Sequence, residues 1–236
     1  MVHLRKSLAP SWWPIPRKAG GVWSVRPSTG PHSLQYSIPL AIVIRDVLKY
    51  AKTLREARYI IARGYVKVDG VVRKDYKFPI GLMDVLEIVP TGEIYRVVPH
   101  QERYYTLTPI PSQEASLKLL RVEGKTTVRG GRHQLHFHDG RNLILTPDVT
   151  KVKTFDSVLY SLDEKKIIKH IPLRLGASAV IIHGGNIGFL GTLYDIVWTL
   201  KKRQSVAAIK RGDEMRRTIL NYVMVVGEDS PVVKIA

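Results

Sequence analysis

The chain of 236 residues contains no cysteine. Disulfides, thiolate zinc sites and cysteine nucleophiles are thereby excluded together, and a reducing interior is the compartment that fits. Acidic residues are scarce: 20 Asp and Glu stand against 37 Lys and Arg, for a formal charge of +17, and residues 1–39 carry no acid at all. A long uninterrupted apolar run is missing too. The stretch ASAVIIHGGNIGFLGTLYDIVWTL, residues 177–200, has no charge before Asp195. Gly184, Gly185, Gly188 and Gly191, with His183 and Asn186, break it into pieces too short to span a bilayer as a helix, so a tight-turned β unit with buried strands is expected. The opening MVHLRKSLAPSWWPIPRKAGG has no charged segment leading into an apolar one. No secretory leader is expected, and the expected location is cytoplasmic.

What is present is enough apolar residue, 44% of the chain, to bury real cores. The charge is spread along the whole length. Residues 1–39, 40–90, 91–172 and 173–236 carry net charges of +5, +4, +4 and +4. A basic tail on a neutral enzyme would not give this distribution; a polyanion touched along much of the chain would. An acidic membrane surface would also answer to charge alone. It ranks last, because the basic residues sit on a short capped helix without a continuous stripe of lipid-facing aromatics.

Residues 1–39 hold Pro10, Pro14, Pro16, Pro27, Pro31 and Pro39 with Trp12, Trp13 and Trp23. That density of proline rules out a long helix, and the tryptophans want a surface to cover, so an extended arm that docks on protein or RNA is expected. Leu40, Val43, Ile44, Val47 and Leu48 follow the spacing of one helical face, with Pro39 in the first turn. A second helix opens on Thr53-Leu-Arg-Glu56, a capping box, and ends at Gly64 with Leu54, Ala57 and Ile61 inward. Val66, Val68, Val71 and Arg73 then flank Asp69-Gly70, a pair suited to a type I′ hairpin turn. MDVLEIVP, IYRVVP and QLHFHDGRNLIL read as short strands and turns, so the central region is expected to be all-β.

No constellation for catalysis emerges, neither a carboxylate pair nor a Ser-His-Asp set at a useful spacing. His133, His136 and His138 with Asp139 can be drawn as a metal cluster, but histidines contacting RNA or water explain the same phrase at least as well. The glycines at 184–191 lack both the Gly-Lys-Ser/Thr ending of a P-loop and the Gly-x-Gly-x-x-Gly spacing, which argues against a nucleotide cradle.

Residues 48–88 resemble the small RNA-binding module, two helices feeding a twisted hairpin, shared by bacterial ribosomal protein S-four, some pseudouridine synthases and some tyrosyl-tRNA synthetases. LKYAKTLREARYII, VKVDGVVRKD, FPIGLMDVLEI, TGEIYR, HDGRN and GGNIGFLG, in that order, resemble the archaeal and eukaryotic ribosomal small-subunit family S-four-e across nearly the whole chain, and GVWSVRPSTGPHSL resembles its N-terminal arm. IIHGGNIGFLGTL resembles the glycine loop of a KOW motif, except that Phe189 stands where a basic residue is expected. The resemblance implies a multidomain α+β chain: an arm at 1–39, a helix-hairpin RNA-binding module at 40–92, a central β domain at 93–172 and a KOW-like, SH3-like β-barrel with the C-terminal segment at 173–236. It implies a non-catalytic, ribosome-bound protein that contacts small-subunit ribosomal RNA and neighbouring ribosomal proteins, without cofactor, metal, membrane or small-molecule substrate. The candidate RNA-binding residues are Arg5, Lys6, Arg17, Lys18 and Arg26 in the arm and Arg55, Arg58, Arg63, Lys67, Arg73 and Lys74 in the module. Two alternatives are weighed. A pseudouridine synthase needs an active-site aspartate in a Gly-Arg-Leu-Asp-like stretch, for which DGRN, with Asn142, is a poor match. A KOW-containing transcription factor fits the arm and the upstream blocks less well.

Overall fold

A computed structural model describes residues 3–18, 21–145 and 152–235. It divides into two compact units, Met1–Val97 and Val98–Ala236.

In the first unit the described residues of the proline-rich segment form no helix beyond two 3-10 turns, Lys6–Leu8 and Leu34–Tyr36. Its strands β1 (Leu4–Arg5) and β2 (Trp23–Ser24) pair antiparallel, and β3 (Ile38–Pro39) pairs with β6 (Pro79–Ile80). Trp13 is only 3% exposed, and its indole N–H donates to the Ser37 carbonyl at 2.9 Å. Farther along, the Ser28 N–H donates to Lys77 O at 2.9 Å, and His32 Nε2 meets both Asp84 carboxylate oxygens at 3.0 Å. Gly81 makes room for that last contact, since a Cβ there would lie 2.4 Å from the His32 ring. The segment is thus laid on the module that follows it.

The helix expected over 40–48 is only partly regular. Helix α1 (Leu40–Ile42) runs into a π-helical turn, Val43–Val47, in which the Leu48 N–H reaches back to Val43 O at 2.9 Å. The wider turn ends the one-face pattern: Leu40 through Ile44 are buried on every side, while Val47 and Leu48 are half-buried. Its last residues fail to continue because Lys49 takes a left-handed φ of 60°.

Helix α2 (Leu54–Ala62) begins where its capping box places it. Glu56 N–H donates to Thr53 Oγ1 at 3.2 Å, and Glu56 Oε2 accepts from the backbone N–H of Lys52 at 2.8 Å and Thr53 at 3.3 Å. Those N–H groups hold the Glu56 carboxyl below its ordinary range, Lys52 foremost. Strands β4 (Val66–Val68) and β5 (Val71–Val72) form the hairpin, with φ of 52° at Asp69 and 75° at Gly70, both left-handed as a type I′ turn demands. The sheet continues from β4 to β7 (Val85–Ile88) and on to β8 (Glu93–His100).

The second unit begins at Val98, within β8, includes β9 (Tyr104–Pro109) and holds two antiparallel sheets of five strands. In the first, β10 (Leu117–Thr127), β11 (His133–Phe137), β12 (Asn142–Ile144), β13 (Ser157–Ser161) and β14 (Lys166–Ile171) take the order β12-β11-β10-β13-β14. Leu120, Val122, Leu135, Phe137 and Val158 form its core. In the second, β15 (Ser178–Ile181), β16 (Leu190–Val197), β17 (Val206–Arg211), β18 (Glu214–Ile219) and β19 (Val223–Gly227) take the order β18-β17-β16-β15-β19, with Phe155, Ile181, Phe189, Leu193 and Ile209 in its core. Buried Arg121 ties the two together: its Nη1 donates to the carbonyls of Asn221 at 2.7 Å and Val223 at 3.0 Å, while Glu123 balances its charge. The chain as a whole is β-rich with few helical turns, an α+β protein.

Candidate nucleic-acid interface

Helix α2 has an apolar side, on which Ala57 and Ile61 are fully buried, and an outer side that carries Arg55 and Arg58 into solvent. A helix fixes Cβ direction, so these guanidiniums leave the surface at set angles. Aromatic rings also hold two arginine heads: Arg58 lies 4.5 Å from the Tyr76 ring centroid, and Arg63, at the C-cap, 5.0 Å from that of Tyr59. Lys74 follows the hairpin, exposed.

The remaining candidates are placed differently. Lys67 is half-buried on β4 and paired with Glu87 at 2.9 Å. Arg73 is half-buried, with its guanidinium 4.4 Å from the Phe78 ring centroid. In the first segment Arg5 and Lys18 are exposed and Arg26 is half-buried. Lys6, expected at the surface, is buried. Arg17 points its guanidinium at the carbonyls of Lys6, Ala9 and Pro10, which orders its own loop. Proline-rich backbone leaves carbonyls without N–H partners, and a five-donor side chain satisfies several at once. Charge counting could not separate such a structural arginine from a contacting one.

Sequence reasoning passed over a second cationic group. Arg45, Lys52 and Lys77 line one cleft of the first unit together with Lys6, Arg26 and the aromatic residues Trp23 and Tyr76. The signal was present in the alternation of basic and aromatic residues at KDYKF, 74–78, but the residues that meet it come from several other segments.

The histidine group has protein partners. His136 contacts Thr126 Oγ1 at 2.8 Å and Asn142 Oδ1 at 2.6 Å, and His138 Nδ1 accepts the Arg121 backbone N–H at 3.1 Å. Among the described residues no cluster of three or more His, Asp or Glu is placed to hold a metal, and no helix is long and apolar enough to cross a membrane. Asp139 of DGRN is buried beside Lys118 Nζ at 3.2 Å and Arg141 Nε at 3.1 Å. Burial alone would raise its carboxyl, but Lys118, His138 and Arg141 hold it below the usual range, so it is a paired structural carboxylate.

In the glycine loop before β16, Gly188 has a φ of 79°, and a Cβ there would lie 2.7 Å from the Gln101 backbone nitrogen. This glycine serves close packing of backbone within the protein. Phe189 is 1% exposed and belongs to the core, which explains an apolar residue at that position.

The chain has similar counterparts among known proteins. The family model described as Ribosomal family S4e matches residues 91–167, an RS4NT domain matches 2–35 and an S4 domain matches 38–86. Curated relatives named "Small ribosomal subunit protein eS4" include that of Pyrobaculum arsenaticum, 75% identical with 100% of this chain and 99% of the relative covered, and that of Caldivirga maquilingensis, 48% identical with 100% and 99% covered. The crystal structure of the 30S ribosomal protein S4e from Thermoplasma acidophilum is similar at a TM-score of 0.71 and 35% identity, covering 82% of this chain and 96% of that one. The chain belongs to the ribosomal S4e family.

Proposed function

We propose that this chain is a structural, non-enzymatic constituent of the small ribosomal subunit, ribosome-bound in the cytoplasm, where it binds small-subunit ribosomal RNA and abuts neighbouring ribosomal proteins. The observation that carries the reading is the outer face of α2: Arg55, Arg58 and Arg63 exposed on a capped helix whose one acid, Glu56, is engaged by backbone N–H groups at the N-terminus, with Lys74 exposed after the hairpin. Rigidly held cations neutralise phosphates without chemistry and keep RNA in one register. Membership in a family whose relatives are named as small-subunit proteins supports the same reading.

The parts divide the work. The arm at 1–39 contributes Arg5, Lys18 and Arg26; the module at 40–92 contributes the α2 face, with Lys67 and Arg73 as secondary contacts; Lys6 and Arg17 shape the arm. The central β domain at 93–172 and the unit at 173–236, which we take as a KOW-like, SH3-like barrel, add positive surface. In the latter, Arg211 and Arg216 supply the charge that Phe189 does not. Co-sedimentation of the native protein with small subunits in low and high salt tests the proposal. It should pellet with them at low salt and be released as salt rises; a protein that stays in the supernatant at both would refute it.

A further inference from the structure

The first unit contains a cleft of about 480 Å³ whose wall is built from the arm on one side and the module on the other. That volume falls within the roughly 300–1,000 Å³ of sites that enclose small organic ligands. Five basic residues line it, Lys6, Arg26, Arg45, Lys52 and Lys77, against one carboxylate, Asp46. Asp46 is bound to Arg45 at 2.7 Å and 3.1 Å, so the pair is balanced and the rest of the lining remains cationic.

The aromatic residues of the cleft differ in a way that assigns them roles. Tyr76 already carries Arg58 at 4.5 Å and Lys77 at 5.6 Å from its ring centroid, which positions those two cations. Trp23 is 58% exposed although it stands in a strand paired with β1, and His3 packs near it at 5.4 Å with the rings tilted by 49°. An exposed indole beside a cationic cleft is the arrangement that accepts a base face and a phosphate together. The π-helical turn Val43–Val47 brings Arg45 and Asp46 to the same wall, a kind of irregularity frequent at functional sites.

We propose that this cleft receives one unpaired nucleotide of an RNA strand, its base stacked on Trp23 and its phosphates held by Arg26, Lys52 and Lys77. A duplex is too wide for such a space, whereas unstacked bases in loops and bulges are the elements that proteins receive on aromatic side chains. The site deepens the ribosomal reading, on which it rests, by naming the RNA element that the arm and module grip between them.

The test is photo-cross-linking of the full chain to small-subunit RNA with mass-spectrometric mapping, alongside affinity and its salt dependence, for wild type, Trp23→Ala, Trp23→Phe and, as an exposed-indole control, Trp198→Ala. The wild type should cross-link a single unpaired nucleotide at Trp23. Trp23→Ala should lose that adduct and bind about five- to hundredfold more weakly with an unchanged salt slope, because no charge is removed. Trp23→Phe should retain most of the affinity, and Trp198→Ala all of it. Salt-dependent binding that is equal in Trp23→Ala and wild type, with adducts only elsewhere, would overturn the cleft while leaving the ribosomal reading intact. Absence of salt-dependent RNA binding in the wild type would overturn both.

Discussion

The guanidinium of Arg211 sits 4.8 Å from the centroid of the Phe189 ring, with that of Arg216 at 5.8 Å. The sequence shows an aromatic residue where a cation is expected; folding brings two arginines from the β17–β18 hairpin over that same ring. Phe189→Ala should therefore cost about 3–5 kcal/mol, the usual range for a buried phenylalanine. Denaturant unfolding would register this as a lower midpoint, and a loss below about 1 kcal/mol would show that the ring is not the packing base of the loop.

His183 gives the second unit a pH response. Burial, with the charges of Arg121 and His138 adding, pushes its imidazole down to about 3, and Tyr104 Oη lies 3.0 Å from Nδ1. The folded value is below that of the unfolded chain, so the unfolded state binds the extra proton. Stability is then complete well above pH 6.5 and lost as pH falls toward 3, by about 2 kcal/mol between pH 7.5 and 5. Urea unfolding of wild type and His183→Gln at pH 5 and 7.5 checks it. The variant should lack about that much of the wild type's acid loss; equal losses would mean that His183 is not buried neutral.

The capping box at Thr53 holds the helix that carries the arginines. Thr53→Ala removes the acceptor of the Glu56 N–H and should destabilise by about 1 kcal/mol. Thermal denaturation followed by circular dichroism would detect the change, and no shift would mean that α2 is held by packing of Ala57 and Ile61 alone.

Residues 3–18 should resist protease even without RNA, because Trp13 is buried and bonded to Ser37 O. Trp13→Ala should open the segment to cleavage at Arg5, Lys6, Arg17 and Lys18 while the module remains intact. Equal cleavage of wild type and variant in the free protein would contradict anchoring of the segment by Trp13 against Ser37.

Local signals were the most legible. The capping box at Thr53-Glu56, the Asp69-Gly70 turn and the glycine-broken apolar run each depend on neighbours within a few residues, and each appears where the pattern put it. What spacing could not show was the π-helical turn at Val43–Val47, because an apolar run buried on all sides has no single face to read. The candidate cations were legible as a class but not by role. Lys6 and Arg17 differ from Arg55 in what lies beside them after residues far apart in sequence meet, and the cleft that joins Trp23, Lys52 and Lys77 has no contiguous signature.

The role proposed for the rigid α2 face is to recognise the RNA where general charge alone would not. Replacing Arg55, Arg58 and Lys74 together by Gln removes two exposed cations from that face and the one after the hairpin, and replacing Lys201, Lys202 and Arg203 by Gln removes three exposed cations from the second unit. Affinity for small-subunit RNA is then measured across a salt series. The account predicts that the module variant loses most of its specific affinity and that its salt slope becomes shallower by about two to three, while the control keeps specific binding. Equal loss in the two variants would contradict it.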